Sequence, residues 1–158
     1  MDEFAEKIYG DRVRTRVCGL CWEGQKLLLV NHFGIYGHDF WSPPGGGVEF
    51  GQTAASNLIR EFREETGLDI QTGEFLFACE FIRPPLHAIE LFFAVKSNGG
   101  KLISGYDPEM NDEKQVISEA RYMSTSEIDG LPENHKHGLF KLAKKAEKVN
   151  ALTGYLKI

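Results

Sequence analysis

Residues 46–68 read GGVEFGQTAASNLIREFREETGL, a glycine-rich loop running into a helical pattern that ends in a cluster of carboxylates. Ala54, Leu58 and Phe62 fall on one line of a helix, with Ala55 and Ile59 alongside, so the spacing predicts a helix over about 53–66. One face is then core and the other wet and acidic. Glu61 and Glu65 stand at i,i+4 with Glu64 beside them, which brings three carboxylates to neighbouring parts of one face. Like charges held this close repel, and a bound hard cation relieves them. Donors that are all oxygen favour magnesium or manganese over zinc. Thr53 is suited to cap the first turn, Gly67 to take the left-handed position after the last, and Arg60 to brace Glu64. Taken alone, an Arg-Glu-x-x-Glu-Glu string reads first as a solvated row of surface acids, because charge runs usually are solvated faces. The glycine-rich approach argues for a site.

The stretch resembles the Nudix box: glycine, five residues, glutamate, seven residues, Arg-Glu, a bulky apolar residue, any residue, Glu-Glu, any residue, glycine and an apolar residue. Gly46, Arg60, Glu61, Phe62, Glu64, Glu65, Gly67 and Leu68 fall on it, and Gln52 stands where the pattern has glutamate. Trp41 and Pro44-Gly45-Gly46 resemble the usual lead-in, with Pro43 where an apolar residue more often precedes the proline. By order of elements the chain is similar to Nudix hydrolases over about residues 12–145. The resemblance implies an α/β fold, a Nudix-type α/β/α sandwich with a mixed β-sheet, as a single domain over 1–158. It implies cleavage of a pyrophosphate bridge with Mg2+, or Mn2+, as cofactor. It also makes Glu61, Glu64 and Glu65 the metal-binding and catalytic carboxylates, with Arg60 among them and the Gly46 carbonyl as a further ligand. Glu113, before the last strand, falls roughly where some family members supply one more carboxylate, and reads equally as a plain loop acid. An amide at Gln52 offers weak coordination or a hydrogen bond to Arg60 without the charge, so reduced metal affinity is expected before loss of activity.

Substrate choice rests on less. Pro84 lies 16 positions beyond Leu68 (84 − 68), a spacing that resembles the proline marker of ADP-ribose pyrophosphatases. An ordinary turn proline beside Pro85 gives the same match. Arg83 is a candidate for phosphate or ribose oxygens. Phe33, Tyr36, Phe40 and Trp41 lie in expected loops where an adenine could stack, though Trp41 suits the core equally. Arg83, Pro84, Trp41 and Phe40 are thus the substrate-binding candidates. Three readings stay open. One is a hydrolase of a nucleoside diphosphate linked to another moiety, ADP-ribose favoured, giving AMP and ribose 5-phosphate. The others are a nucleoside triphosphate pyrophosphohydrolase and a non-catalytic nucleotide-sensing module.

A chain of 158 residues with 42% hydrophobic residues is sized for one compact domain. A net charge of -5 argues against a track for polymeric nucleic acid but suits a small nucleotide held through metal. No run reaches the roughly 18 apolar residues of a membrane span, and the acidic opening is unlike a signal peptide, so a cytoplasmic location is expected. A homodimer stays open. Cys18, Cys21 and Cys79 are expected as free thiols, the first two on opposite faces of a strand. His135 and His137 are expected at the surface; His32, His38 and His87 lie in or beside loops able to border a pocket. The remaining pattern predicts strands at 13–20, 26–31, 74–82, 88–96 and 115–123, with turns at 23–25, 83–86 and 98–100 and a polar loop at 104–113. A short helical element starts at Ser126, and a second amphipathic helix covers 137–149.

Overall fold

The alternation Arg-Val-Arg-Thr-Arg-Val-Cys makes β1 (Arg12–Glu23), the strand around which the others are arranged. The computed structural model describes residues 10–33, 37–103 and 119–158. β2 (Lys26–Asn31) folds back antiparallel on the end of β1, with Trp22 opposite Leu27. β3 (Trp41–Ser42) and β4 (Gly45–Gly47) follow, and β4 pairs antiparallel with β1 so that Val17 faces Gly46. Next come α1 (Ala54–Thr66), β5 (Leu68–Arg83), β6 (Leu86–Gly100), β7 (Glu119–Ser124), α2 (Thr125–Gly130), α3 (Leu139–Ala143) and β8 (Gly154–Lys157). The strand order is β3-β2-β1-β6-β5-β8, with β4 added on β1 and β7 on β2. β1 runs parallel to β6 while β5 runs antiparallel to it, so the sheet is mixed.

Both faces of the sheet are covered. On one, Leu58 and Phe62 of α1 meet Val17, Cys21, Leu28, Leu68, Ile70 and Val95. On the other, Ile128 of α2 and Leu139, Phe140 and Ala143 of α3 close over Cys18, Leu20, Leu27, Leu29 and the stacked rings of Phe77 and Phe92. Each fully buried Leu or Phe contributes roughly 1.5–3 kcal/mol, so these two rows fix α1 and α3 against the sheet. Cys18 and Cys21 lie in different clusters, as their odd offset requires, and all three thiols are free and buried.

Three features differ from the sequence expectation. Asn98-Gly99-Gly100 is not a turn but the end of β6, where Leu68 pairs with Gly100. A Cβ at Gly100 would collide with the Gly67 carbonyl, so glycine lets the strand pass the left-handed cap of α1. The helix expected over 137–149 breaks at Lys144, whose φ is 64°, into α3 and a 3-10 turn at Ala146–Ala151. There the Ala146 amide donates to Asp129 Oδ1 at 2.9 Å instead of extending the helix. β8 was not anticipated; it adds parallel to β5 from Phe77↔Gly154 to Glu80↔Lys157. β7 is described from Glu119 onward; residues 115–118, the polar loop with Glu113, and Tyr36 lie outside the described residues. Arg83 and Leu86 do close a tight hairpin through Pro84 and Pro85.

Candidate active site

α1 begins and ends as its sequence dictates. The Thr53 hydroxyl accepts from the Ser56 amide, and Gly67 closes the last turn with φ 74°. Its apolar stripe is rotated from the expected position. Ala55 and Ile59 are exposed, and the line Asn57, Glu61, Glu65 turns instead against the glycine loop. Each of the three meets the loop one step further down. Asn57 Oδ1 accepts from the Glu49 amide at 3.0 Å, the Glu61 carboxylate lies where a Cβ of Gly46 would be, and Glu65 Oε2 accepts from the Gly45 amide at 2.8 Å. Only glycine at position 46 leaves room for that carboxylate. Glu65 is therefore buried rather than solvent-facing, at 7% exposure.

Arg60 gathers the acids. Its guanidinium donates to Glu61 Oε1 at 2.7 Å and Glu64 Oε2 at 2.9 Å, and lies 3.3 Å from Glu49 Oε1. Gln52 does not join it, because its amide oxygen accepts from the Ser56 hydroxyl at 3.2 Å. Burial pushes the Glu61 carboxyl above its ordinary range, Arg60 opposes this, and the charge of Glu64 adds to it. Among the described residues no three His, Cys, Asp or Glu groups already stand close enough to enclose an ion. The donor set nevertheless fits a hard cation. It is all oxygen, it sits against the glycine loop, and it contains a carboxylate whose charge burial and Glu64 disfavour.

On the other side of the loop are basic residues. Arg16 Nη2 donates to the Gly45 carbonyl at 3.3 Å and Nη1 to Glu90 Oε1 at 2.8 Å, while Arg14 lies against Gly47. Glu90 is buried at 2% exposure and also meets His137 Nε2 at 2.7 Å. Burial alone would raise its carboxyl, but His137 and then Arg16 outweigh this and hold it down at about 2.

A family model described as NUDIX domain matches residues 11–145. The chain belongs to the NUDIX domain family. It is 31% identical over 93 residues to an ADP-ribose pyrophosphatase of Methanocaldococcus jannaschii, covering 58% of this chain and 55% of that one. It is 29% identical over 107 residues to Nudix hydrolase 10 of Arabidopsis thaliana, covering 68% of this chain and 36% of that one. The chain thus spans about half, or less, of the length of these curated relatives. A NUDIX hydrolase structure from Nitrosomonas europaea superposes with a TM-score of 0.68 at 20% identity, over 83% of this chain and 85% of that one. The fold is the α/β/α sandwich of this family.

Within that Nudix frame the structure brings Gly46, Arg60, Glu61, Glu64 and Glu65 together. Among the described residues, it does not bring the other candidates to them. Trp41 is 4% exposed in the core with the Arg121 guanidinium 5.0 Å from its ring centroid, so it offers no free face to a base. Phe40 is half-buried, its carbonyl accepting from the His32 amide. Arg83 and Pro84 sit at the β5–β6 hairpin tip, exposed and four residue steps beyond the level of Glu90 in the ladder. That is about 13 Å along the strand. His137 was misplaced at the surface. It is buried on Glu90, and Lys136 beside it is buried with Nζ on the Ile128 carbonyl. His135 stacks on His38, and His87 pairs with Glu80. Sequence reasoning also missed Arg14, Arg16, Glu49 and Glu90. Two signals were available: arginines alternating at 12, 14 and 16 on a strand, and a lone acid inside the apolar run around Ile89 and Leu91.

Proposed function

We propose that the chain is a divalent-cation-dependent pyrophosphohydrolase acting on a nucleoside diphosphate linked to a second moiety. ADP-ribose is the leading substrate, giving AMP and ribose 5-phosphate, and residues 1–158 act as one domain. The observation that carries this reading is the ladder of Asn57, Glu61 and Glu65 along the loop at Gly45–Glu49, with Glu64 gathered beside it by Arg60. The pyrophosphatase name of the archaeal relative supports the substrate class.

Glu61, Glu64 and Glu65 would hold the cation, with the Gly46 carbonyl as a further donor. Magnesium or manganese there would neutralise phosphate oxygens and make a bound water more acidic. The rest falls to the chain. Glycines at 45–47 let the loop backbone approach a diphosphate closely. Arg14, on the opposite side of the loop from the acids, offers a planar fork suited to phosphate oxygens. A carboxylate must take the proton of the attacking water as its oxygen bonds to phosphorus and the bridging P–O bond breaks.

The test is a substrate panel of ADP-ribose, ADP-glucose, NADH and the nucleoside triphosphates with magnesium, scored for AMP, phosphate and pyrophosphate. Chelation of the metal should abolish turnover, and ADP-ribose should give the highest kcat/KM. Preference for a triphosphate would overturn the substrate assignment, and turnover without divalent metal would overturn the mechanism.

A further inference from the structure

The buried carboxylate of Glu90 has no part in the chemistry above, yet it is joined to it by an unbroken series of hydrogen bonds. The Leu139 amide donates to His137 Nδ1 at 3.2 Å, which leaves the ring proton on Nε2, facing Glu90 Oε2 at 2.7 Å. Glu90 Oε1 accepts from Arg16 Nη1 at 2.8 Å, and Arg16 Nη2 reaches the Gly45 carbonyl at 3.3 Å. The Gly45 amide donates to Glu65 at 2.8 Å. The series starts in the segment before α3, crosses β6 and β1, and ends on an acid of α1. It joins the layers on both faces of the sheet.

Burying an ion pair here is costly, and an apolar pair of similar volume would pack the core as well or better. Packing alone does not explain the charges. What they supply is direction. With one prong on Glu90 and another on Gly45, the Arg16 guanidinium holds a single orientation. Gly45 is then gripped on its carbonyl by Arg16 and on its amide by Glu65. Those two contacts set the peptide planes that lead into Gly46.

We propose that Glu90, oriented by His137, is a positioning residue for the metal-binding loop: it locks Arg16 across the Gly45 carbonyl and thereby fixes Glu65 and the Gly46 carbonyl for the cation. The inference rests on the reading of Glu61, Glu64 and Glu65 as cation ligands. It makes Arg16 act by geometry and not by charge. The two roles predict opposite signs, because a positive charge near acids repels a cation, and its removal should tighten binding if charge were all that mattered.

The experiment is calorimetric titration of the intact, substrate-free protein with Mn2+, alongside thermal unfolding and kcat and KM for ADP-ribose. Glu90→Gln and Arg16→Lys should each weaken Mn2+ binding by about 10-fold or more, as loss of support behind a metal ligand typically does. The double variant should be no weaker than the weaker single one, since both break the same series. Arg16→Met should also weaken binding, despite losing the positive charge. Arg16 has a quarter of its side chain exposed, at 24%, so its variants carry the test even where Glu90→Gln does not fold. Tighter Mn2+ binding by Arg16→Met, or affinities of folded Arg16→Lys and Glu90→Gln within about twofold of wild type, would overturn the positioning role. Glu64→Gln is the control on the underlying reading. Wild-type Mn2+ affinity there would remove the cation site itself.

Discussion

With Gln52 in place of a glutamate the Nudix box lacks one negative charge, and Arg60, which gathers the acids, still draws a further carboxylate. Glu49 supplies that charge, 3.3 Å from Arg60 Nη2, with its backbone tied down by Asn57. An exposed pair of this kind contributes at most about 1 kcal/mol to stability. Glu49→Gln should therefore leave the melting temperature nearly unchanged while raising the magnesium concentration for half-maximal activity. Gln52→Glu should be nearly silent alone and should restore the Glu49→Gln variant. Magnesium activation curves of the four proteins check this, and a double variant no better than Glu49→Gln would refute the exchange of roles. The acids proposed as cation ligands separate in the same way. Glu64→Gln should fold normally and lose turnover by orders of magnitude, since Glu64 is partly exposed and bonded to the partly exposed Arg60. Glu65→Gln should lose turnover and also roughly 1–2 kcal/mol of stability, because the buried Gly45 amide then donates to a neutral group. Urea unfolding of the two variants distinguishes them.

α1 was legible because its signals are local. Period, cap and left-handed glycine are all read within a few residues of Thr53, Leu58 and Gly67, and the structure has each of them. The cap can be tested separately from the site. Thr53→Ala should cost about 1 kcal/mol with kcat unchanged. Asn57→Ala should cost as much or more, about 1–3 kcal/mol, and lower turnover too, because Asn57 joins helix and loop from a fully buried position. Denaturation midpoints set against kcat for the two proteins show whether the helix end or its contact with the loop matters to catalysis. Which line of α1 meets the loop was not legible, because β4 is placed by its pairing with β1 and not by anything near Asn57. The end of β6 failed for a related reason. Asn-Gly-Gly normally signals a turn, but here Gly100 admits the backbone of Gly67. His137 looked like a surface residue because its partner, Glu90, is 47 positions earlier in another element.

Across the whole molecule, the same buried groups that hold β1, β6 and the segment before α3 together make the fold sensitive to acid. Burial, with Arg16 and His137 nearby, pushes His32 from 6.5 down to about 3, so it stays neutral in the folded protein. Its unfolded form takes a proton below 6.5. The unfolded chain then binds more protons, and stability present above pH 6.5 is lost as the pH falls toward about 3. Glu90 acts in the same direction lower down. Its folded form keeps its charge to about 2 while the unfolded carboxylate protonates near 4.5, so its contribution is lost between those values. One group titrating out of step changes stability by about 1.4 kcal/mol per pH unit, a large fraction of the 5–15 kcal/mol typical of a domain after two or three units. Urea midpoints should therefore fall steadily from pH 6.5 to 4.5 through His32 and more steeply below 4.5, where Glu90 joins it. His32→Gln should flatten the upper stretch and reduce the lower one to the slope of Glu90 alone. Fluorescence of Trp22 and Trp41, both tied into the core cluster, provides the readout. Constant wild-type stability from pH 7 to 4.5 would mean that His32 titrates in the fold as it does in the unfolded chain, and that the cluster behind the glycine loop does not make the protein acid-sensitive.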